Sequence, residues 1–274
     1  MNFIKQIIKS FIVAFSLYSK VPMPRFAWNS IDMKYHFVFF PFVGVLIGVF
    51  EFLLKVLQIK LGFGALFYLC AAAALPLLVT GGIHFDGFMD TTDALCSYAP
   101  KEKKLEILKD PHIGAFSVIG ASVYFLLLLG FGSEIKSFPA LICVCFPFVF
   151  SRILSALGVL VLPKAKKDGM AKTEAENSSK RTVIIILILE FVVFSGLMIF
   201  ILTKAVQISE PLLLSLSKPL SVFLALAVSS AVTIFTAKKN FGGITGDIAG
   251  FFVCVSELLC VIALSVCEII SRLL

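Results

Sequence analysis

Seven long apolar runs constrain this chain more than any other feature of its sequence. A helix that crosses the hydrocarbon core of a bilayer needs about 20 consecutive, mostly apolar residues. The runs cover residues 36–58, 62–83, 113–132, 138–162, 182–204, 212–236 and 248–270. The composition agrees, because 59% of the residues are hydrophobic and 15% charged, unlike a typical soluble domain. We therefore predict an all-α fold, a polytopic integral membrane helical bundle of about seven transmembrane helices.

The N-terminal segment, residues 3–20, is amphipathic and shorter than these runs. We expect it to lie in the membrane interface or to re-enter the membrane, and an eighth span is the alternative. The polar stretches 84–112 and 163–181 are too short to fold alone. The whole chain, residues 1–274, is thus predicted to be a single integral membrane catalytic domain.

The basic residues fall mainly on one side of the predicted bundle. The net charge is +7, and most of the 24 Lys and Arg residues lie in alternate connecting segments. These segments are residues 1–35, 84–112, 163–181 and 237–247. The positive-inside rule assigns them to the cytoplasm, so we predict a protein of the cytoplasmic membrane whose active site faces the cytoplasm. Contact with the lipid bilayer explains the charge, and we expect no nucleic-acid partner.

The first chemical signal is a group of carboxylates after the second apolar run. Asp86, Asp90 and Asp93 are spaced to share one face of a helix. Three like charges there repel each other, and a bound Mg²⁺ would relieve that repulsion through hard oxygen ligands. Gly87 would let a phosphate approach. The alternatives are a solvated loop for the acids and a structural hydrogen bond for His84.

The second signal is a glycine-rich segment at the mouth of the last apolar run. It contains Gly242, Gly243, Thr245, Gly246 and Asp247. Such a segment suits a backbone cradle for an anion or a metal–phosphate, and a tight turn with Asp247 as N-cap is the alternative. Glu257 lies ten residues further along, inside the run. An intramembrane acid indicates a functional site, although pairing with Arg152 would also account for it.

Basic residues near these acids are candidates for binding phosphate. Lys109, followed by Asp110, lies where a basic loop meets a span, so it is either a phosphate ligand or an ordinary juxtamembrane lysine. Arg152 lies inside an apolar run and must face the bundle interior, where a substrate phosphate or an acid could pair with it. The segment 164–181 is either a solvated loop or a cover over an anionic substrate.

Five elements, taken together and in order, resemble the cobalamin synthase family, the adenosylcobinamide-GDP ribazoletransferases. They are residues 17–25, 81–93, 109–114, 151–152 and 242–257. The resemblance implies the last assembly step of cobalamin synthesis. The hydroxyl of α-ribazole, or of its 5′-phosphate, attacks the cobinamide-linked phosphorus of adenosylcobinamide-GDP, and GMP leaves. It also implies Mg²⁺ as the cofactor.

The resemblance assigns roles to individual residues. The implied metal ligands are Asp86, Asp90, Asp247 and Glu257. The implied catalytic residues are Asp93 as the base, with His84, Arg152 and Lys109. The implied substrate-binding residues are Gly87, Asp110, Gly242, Gly243, Thr245 and Gly246.

Two other functions remain open at this point. A CDP-alcohol phosphotransferase of lipid synthesis would use a similar acid cluster, but Thr91 and Thr92 stand where that family has Ala-Arg. An ion-coupled transporter also uses intramembrane acids, although the two halves of this chain do not match. Small residues in several spans would permit a homo-oligomer.

Overall fold

The computed structural model of the protein describes residues 3–165, 169–206 and 212–273. It is 80% helical, and no β-strand occurs among those residues. In chain order the helices are α1 (Phe3–Tyr18), α2 (His36–Leu61), α3 (Ala65–Thr80), α4 (Ile83–Cys96), α5 (Lys101–Ile107), α6 (Ala115–Gly132), α7 (Phe138–Cys145), α8 (Pro147–Val161), α9 (Met170–Asn177), α10 (Lys180–Val206), α11 (Leu212–Thr236) and α12 (Gly246–Leu273). A π-helical turn, Ala237–Phe241, extends α11.

The membrane-spanning character predicted from the sequence is confirmed. In the described part of the chain, six helices are long and apolar enough to cross a membrane, and a bent pair of helices makes a seventh. The six are His36–Leu61, Ala115–Gly132, Phe138–Val161, Lys180–Lys204, Leu216–Phe241 and Gly246–Leu273. The N-terminal α1 has 16 residues and is not among them.

The prediction of a separate span over residues 62–83 needs correction. The helix in that region, α3, has 16 residues and ends at Thr80, with Gly81 as its C-cap. Gly81 and Gly82 both adopt left-handed backbone angles, with φ of 67° and 79°, which glycine reaches without a steric penalty. The chain therefore turns by 99° into α4. The predicted polar loop 84–112 accordingly holds two helices, α4 and α5.

The bundle core is centred on α8, which packs closely against α2. An added Cβ at Gly44 of α2 would lie 2.1 Å from the carbonyl oxygen of Phe148, so only glycine permits this approach. Phe150 and Ile153 of α8 are fully buried in the same core. The predicted span 138–162 is confirmed as one apolar stretch, Phe138–Val161, in which Phe146 separates α7 from α8 and Pro147 begins α8. This core fixes the position of Arg152.

Candidate active site

Helices α4 and α12 cross so closely that glycine is required at two contact positions. An added Cβ at Gly87 would lie 2.6 Å from the carbonyl oxygen of Asp247. An added Cβ at Gly250 would lie 2.9 Å from the carbonyl oxygen of His84. The first turn of α4 is therefore held against the first turn of α12. Gly87 leaves room for this helix contact and also lines the cavity beside it, so its expected role toward a phosphate stays a prediction.

This crossing brings together acids that are far apart in sequence. Asp86 and Asp90 lie one turn apart on α4, and Asp247 is the second residue of α12. We call these three residues the acidic crossing. Asp86 is exposed, and the other two are half-buried. Asp86 and Asp90 thus lie on one helix, as their spacing predicted, and the backbone of Asp247 meets that helix at Gly87.

A cavity of about 230 Å³ opens beside the acidic crossing, and we call it the site cavity. Asp86 and Asp247 line it on one side. Other lining residues include Tyr18, Ile83, His84, Gly87, Lys164, Lys172, Glu174, Thr245, Gly246 and Gly250. Three carboxylates, those of Asp86, Glu174 and Asp247, and two lysines therefore line one cavity. A cavity lined by both negative and positive side chains suits a ligand that carries both a metal ion and phosphate oxygens.

The described residues do not form a complete metal cage. No three or more of their His, Cys, Asp or Glu side chains are placed to hold one ion. Mg²⁺, however, is usually bound by one or two carboxylates together with waters and substrate phosphates. Asp86 and Asp247 supply hard oxygen ligands on one cavity wall. The acidic crossing therefore fits Mg²⁺ delivered with a phosphate substrate, rather than a resident structural metal.

The start of α12 is capped by Thr245 and not by Asp247. The Thr245 side-chain oxygen accepts a hydrogen bond from the backbone N–H of Ile248 at 3.2 Å. This is the usual N-cap arrangement, in which a Thr oxygen satisfies a free donor of the first turn. The Thr245 hydroxyl also donates to Asp247 at 3.2 Å. Thr245 thus caps the helix, and Asp247, its second residue, lines the site cavity.

Two of the three glycines predicted to form an anion cradle have structural roles. Gly242 has a φ of 76° and ends the π-helical turn. Gly243 packs on the segment 163–165, where an added Cβ would lie 2.4 Å from the carbonyl oxygen of Pro163. Backbone hydrogen bonds join Ile244 to both ends of that segment. Gly246 differs, because nothing lies within 4 Å of an added Cβ and it lines the site cavity.

Asp93, the predicted base, caps the beginning of α6. Its carboxylate accepts hydrogen bonds from the backbone N–H groups of Gly114 at 2.8 Å and Ser117 at 2.9 Å, and from the Ser117 hydroxyl. Asp93 is not among the described residues that line the site cavity. The structure thus gives this carboxylate three donors on a neighbouring helix and separates it from Asp86 and Asp247.

Arg152 and Glu257 form a buried ion pair in the bundle interior. The guanidinium donates to the Glu257 carboxylate at 2.8 Å, and the two residues are 1% and 7% exposed. Ser151 also donates to Glu257, at 3.1 Å. The structure therefore shows the alternative interpretation of Glu257, in which it pairs with Arg152 inside the bundle. Glu257 lies ten residues, or about 15 Å of helix, beyond Asp247, so it is not grouped with the acidic crossing.

The remaining predicted residues lie at the edge of the site or outside it. Lys109 is exposed after α5, and it is not among the described residues that line the site cavity. Asp110 accepts hydrogen bonds from the backbone and ring of His112, and these bonds lower the pKa of its carboxyl. His84 is buried between the rings of Tyr18 and Phe40. It lines the site cavity, although its side chain is buried.

Sequence reasoning missed a hydrogen-bonded pair among the residues that line the site cavity. The Tyr18 hydroxyl donates to the Glu174 carboxylate at 2.7 Å, which joins α1 to α9. Burial raises the pKa of Glu174 to about 7, although the hydrogen bond from Tyr18 acts in the opposite direction. The two residues are 156 positions apart, and no local pattern connects them.

The sequence left two interpretations open for the segment 164–181, a solvated loop or a cover over an anionic substrate. Its described residues include Lys164 and Lys172, which line the site cavity. The Lys164 ammonium donates to the carbonyl of Leu162 at 3.1 Å and to that of Val159, so it caps the end of α8. Burial lowers its pKa, with a smaller effect of Lys180. Lys172 lies 3.6 Å from Glu176. Both lysines line the site cavity, whereas Lys109 and Arg152 are not among its described lining residues.

Replacing Gly87 with Ala tests the crossing directly. The new methyl group would meet the Asp247 backbone, so α4 and α12 must separate. Because misplacing catalytic groups by about 1 Å can cost about 10²-fold, we expect a comparable loss of turnover for Gly87→Ala. Gly130→Ala is the control, since nothing lies within 4 Å of that position. Equal activity of the two variants would contradict the crossing.

Comparisons with known proteins add an independent finding. A sequence model of the family described as cobalamin-5-phosphate synthase matches residues 10–265. An adenosylcobinamide-GDP ribazoletransferase of Lachnoclostridium phytofermentans is 36% identical over 266 residues, which cover 95% of each chain. The enzyme of that name from Geobacillus kaustophilus is 31% identical and covers 90% of this chain and 91% of its own. No solved structure matches.

Proposed function

Because the chain belongs to the cobalamin-5-phosphate synthase family, we propose that it is an adenosylcobinamide-GDP ribazoletransferase. The reaction joins the nucleotide loop in the final step of cobalamin synthesis. A ribazole hydroxyl forms a bond to the cobinamide-linked phosphorus, the diphosphate bond breaks, and GMP leaves with the electron pair. The hydroxyl proton is released. The observation that carries the proposal is the meeting of Asp86 and Asp247 in one cavity with two lysines.

The acidic crossing is the proposed place of the diphosphate. Asp86 and Asp247, with Asp90 one turn away, would hold Mg²⁺ through carboxylate oxygens. When bound, Mg²⁺ neutralises charge on the diphosphate and on the leaving phosphate. Gly246 leaves the backbone open at the beginning of α12, where the helix dipole favours an anion. Phosphoryl transfer depends mainly on such positioning and charge stabilisation.

The lysines of the site cavity complete the proposed anion site. Lys164 and Lys172 line the same cavity as the acids, and both lie outside the apolar helices. They are suited to the phosphate of the leaving GMP, because a cation near a developing negative charge stabilises the transition state. Asp93 stays a prediction as the base, and its three hydrogen-bond donors favour a role in holding α6 against α4.

We also propose in which membrane, and on which side of it, the reaction takes place. The six long apolar helices make the chain a membrane protein. The basic segments that include Lys164 and Lys172 favour the cytoplasm for the face that carries the site cavity. That orientation suits water-soluble substrates in the cytoplasm and a bilayer of the cytoplasmic membrane around α2, α6, α10 and α11.

A product assay tests the proposed function. Purified protein in detergent is given adenosylcobinamide-GDP, α-ribazole and Mg²⁺, and cobalamin and GMP are measured. We expect both products in equal amounts, and no product when EDTA removes the metal. The 5′-phosphate of α-ribazole is the second acceptor to compare. Product formation from a CDP-alcohol donor alone would instead support lipid synthesis, and undiminished turnover in EDTA would contradict a metal-dependent reaction.

A further inference from the structure

A large groove lies on the lipid-facing surface of the bundle, away from the site cavity. It has a volume of about 600 Å³, and its walls come from α2, α7, α8 and α10. We call it the outer groove. Lys204 is the only charged residue among its described lining residues, and most of the others are large and apolar. No described lining residue is shared with the site cavity, so the outer groove is a separate space.

The outer groove runs toward the membrane edge opposite the site cavity. The site cavity touches Phe37 and Phe40 in the first turns of α2, whereas the outer groove touches residues between 45 and 53 of that helix. At 1.5 Å per residue, that stretch is about 12 Å long, and the stretch from Phe194 to Lys204 of α10 is about 15 Å long. The outer groove therefore extends over roughly half the hydrocarbon core of a bilayer, which is about 30 Å thick.

Close packing fixes the inner end and the walls of the outer groove. The rings of Phe42 and Phe194 meet edge to face, with centroids 6.3 Å apart, and join α2 to α10 one turn before Val45. An added Cβ at Gly48 would lie 2.6 Å from the carbonyl oxygen of Cys145, so α7 lies directly against α2. The outer groove is thus a preformed space whose walls are held in place by direct helix contacts.

A positive charge lies at the end of the outer groove nearest the membrane edge. Lys204 is exposed in the last turn of α10, and no acid pairs with it in the described part of the chain. Two acids of the same membrane edge, Glu134 and Glu268, pair instead with Arg272 and Lys218. The outer groove therefore combines an apolar wall with a cation at its edge, where a long lysine side chain can hold its charge among the lipid headgroups.

We propose that the outer groove binds one anionic phospholipid of the surrounding bilayer. One acyl chain lies along α2 and α10 against Val49, Phe52 and Leu197, and the phosphate lies at the Lys204 ammonium. The apolar wall gains dispersion contacts with the chain, and the lysine attracts the negative headgroup. A second copy of this protein would instead cover Lys204 with apolar surface, and burying an unpaired charge is costly.

Lipid titration of delipidated protein in detergent tests the headgroup contact. Native mass spectrometry follows the binding of phosphatidylglycerol, which is anionic, and of phosphatidylcholine, which is zwitterionic. The first phosphatidylglycerol should bind about fivefold more tightly than the first phosphatidylcholine, because one lysine at a membrane surface contributes roughly that factor. Lys204→Gln should remove this preference. Lys60→Gln is the matched control, since Lys60 is exposed in the last turn of α2 and is not among the described lining residues.

Filling the outer groove tests the place of the acyl chain. Val49 lines the groove and is 48% exposed, whereas Val123 of α6 is 49% exposed and is not among the described lining residues. Val49→Phe should weaken the first binding of both lipids by about tenfold, because excluding about two methylene groups from the groove costs roughly that factor. Val123→Phe should bind both lipids as tightly as the wild type does.

Three results would overturn the lipid site. The first is equal affinity of the wild type and Lys204→Gln for phosphatidylglycerol, which would remove the headgroup contact. The second is equal affinity of the wild type and Val49→Phe for both lipids, which would place the acyl chain elsewhere. The third is a stable dimer in detergent that Val49→Phe separates into monomers, which would assign the outer groove to a second copy of this chain.

Discussion

Replacing Asp86 or Asp247 with Asn is expected to lower turnover on the order of 10³-fold, because each substitution removes a charged oxygen ligand from the acidic crossing. Asn keeps the size of the side chain, so the helix crossing at Gly87 should be preserved. The measurement is the rate of GMP release at saturating α-ribazole. Glu102→Gln is the matched control, since Glu102 is an exposed acid on α5, and its activity should equal that of the wild type.

The two substitutions should also be strongly non-additive. If both carboxylates hold the same ion, the loss of either one removes most of the benefit, and the double variant loses little more. Independent sites would instead give a double variant whose loss is the product of the two single losses. A fully additive result, or normal turnover of either single variant, would contradict a shared site.

The second large effect concerns stability. Replacing Arg152 with Met leaves the Glu257 carboxylate buried and without its charged partner. Breaking a buried pair in this way costs about 3–5 kcal/mol, so we expect a marked fall in the thermal unfolding midpoint in detergent. Arg272→Met removes one partner of the exposed pair with Glu134, which water screens, so the thermal unfolding midpoint should change little.

A double variant separates the charge effect from packing. Arg152→Met combined with Glu257→Leu removes both charges, and we expect it to recover much of the lost stability, since apolar pairs often replace buried ion pairs well. A single Arg152→Met variant as stable as the wild type would contradict the ion pair. Failure of the double variant to recover would show that the Arg152 contacts with Phe148 and Phe40 matter more than the charge.

The apolar runs and their spacing predicted the membrane bundle because burial in lipid depends on local composition. Run length could not show that the chain bends by 99° at Gly81 and Gly82. A helix break there requires two left-handed glycines, and glycines are also common inside membrane helices. The acids of α4 were predicted on one helical face because that property depends on spacing alone. The position of Asp247 of α12 beside them depends on a tertiary contact, which sequence spacing does not reveal.

The roles of single residues were the least predictable part. Glu257 and Glu51 carry the same signal, an acid in an apolar run, yet only the folded bundle shows that Glu257 meets Arg152. Asp93 shares the helical phasing of Asp86 but turns to α6, and its partners lie 21 and 24 residues away. A sequence gives the face of each helix. It does not give the element that packs on that face.

The central claim is that acids from α4 and α12 hold one metal ion together with a diphosphate. Mn²⁺ replaces Mg²⁺ at oxygen sites, and its binding is measured by electron paramagnetic resonance. After gel filtration with adenosylcobinamide-GDP, we predict about one bound Mn²⁺ per wild-type chain. Asp86→Asn and Asp247→Asn should lose it, whereas Glu257→Gln should retain it. Full Mn²⁺ binding by both aspartate variants, or its loss only in Glu257→Gln, would contradict the account.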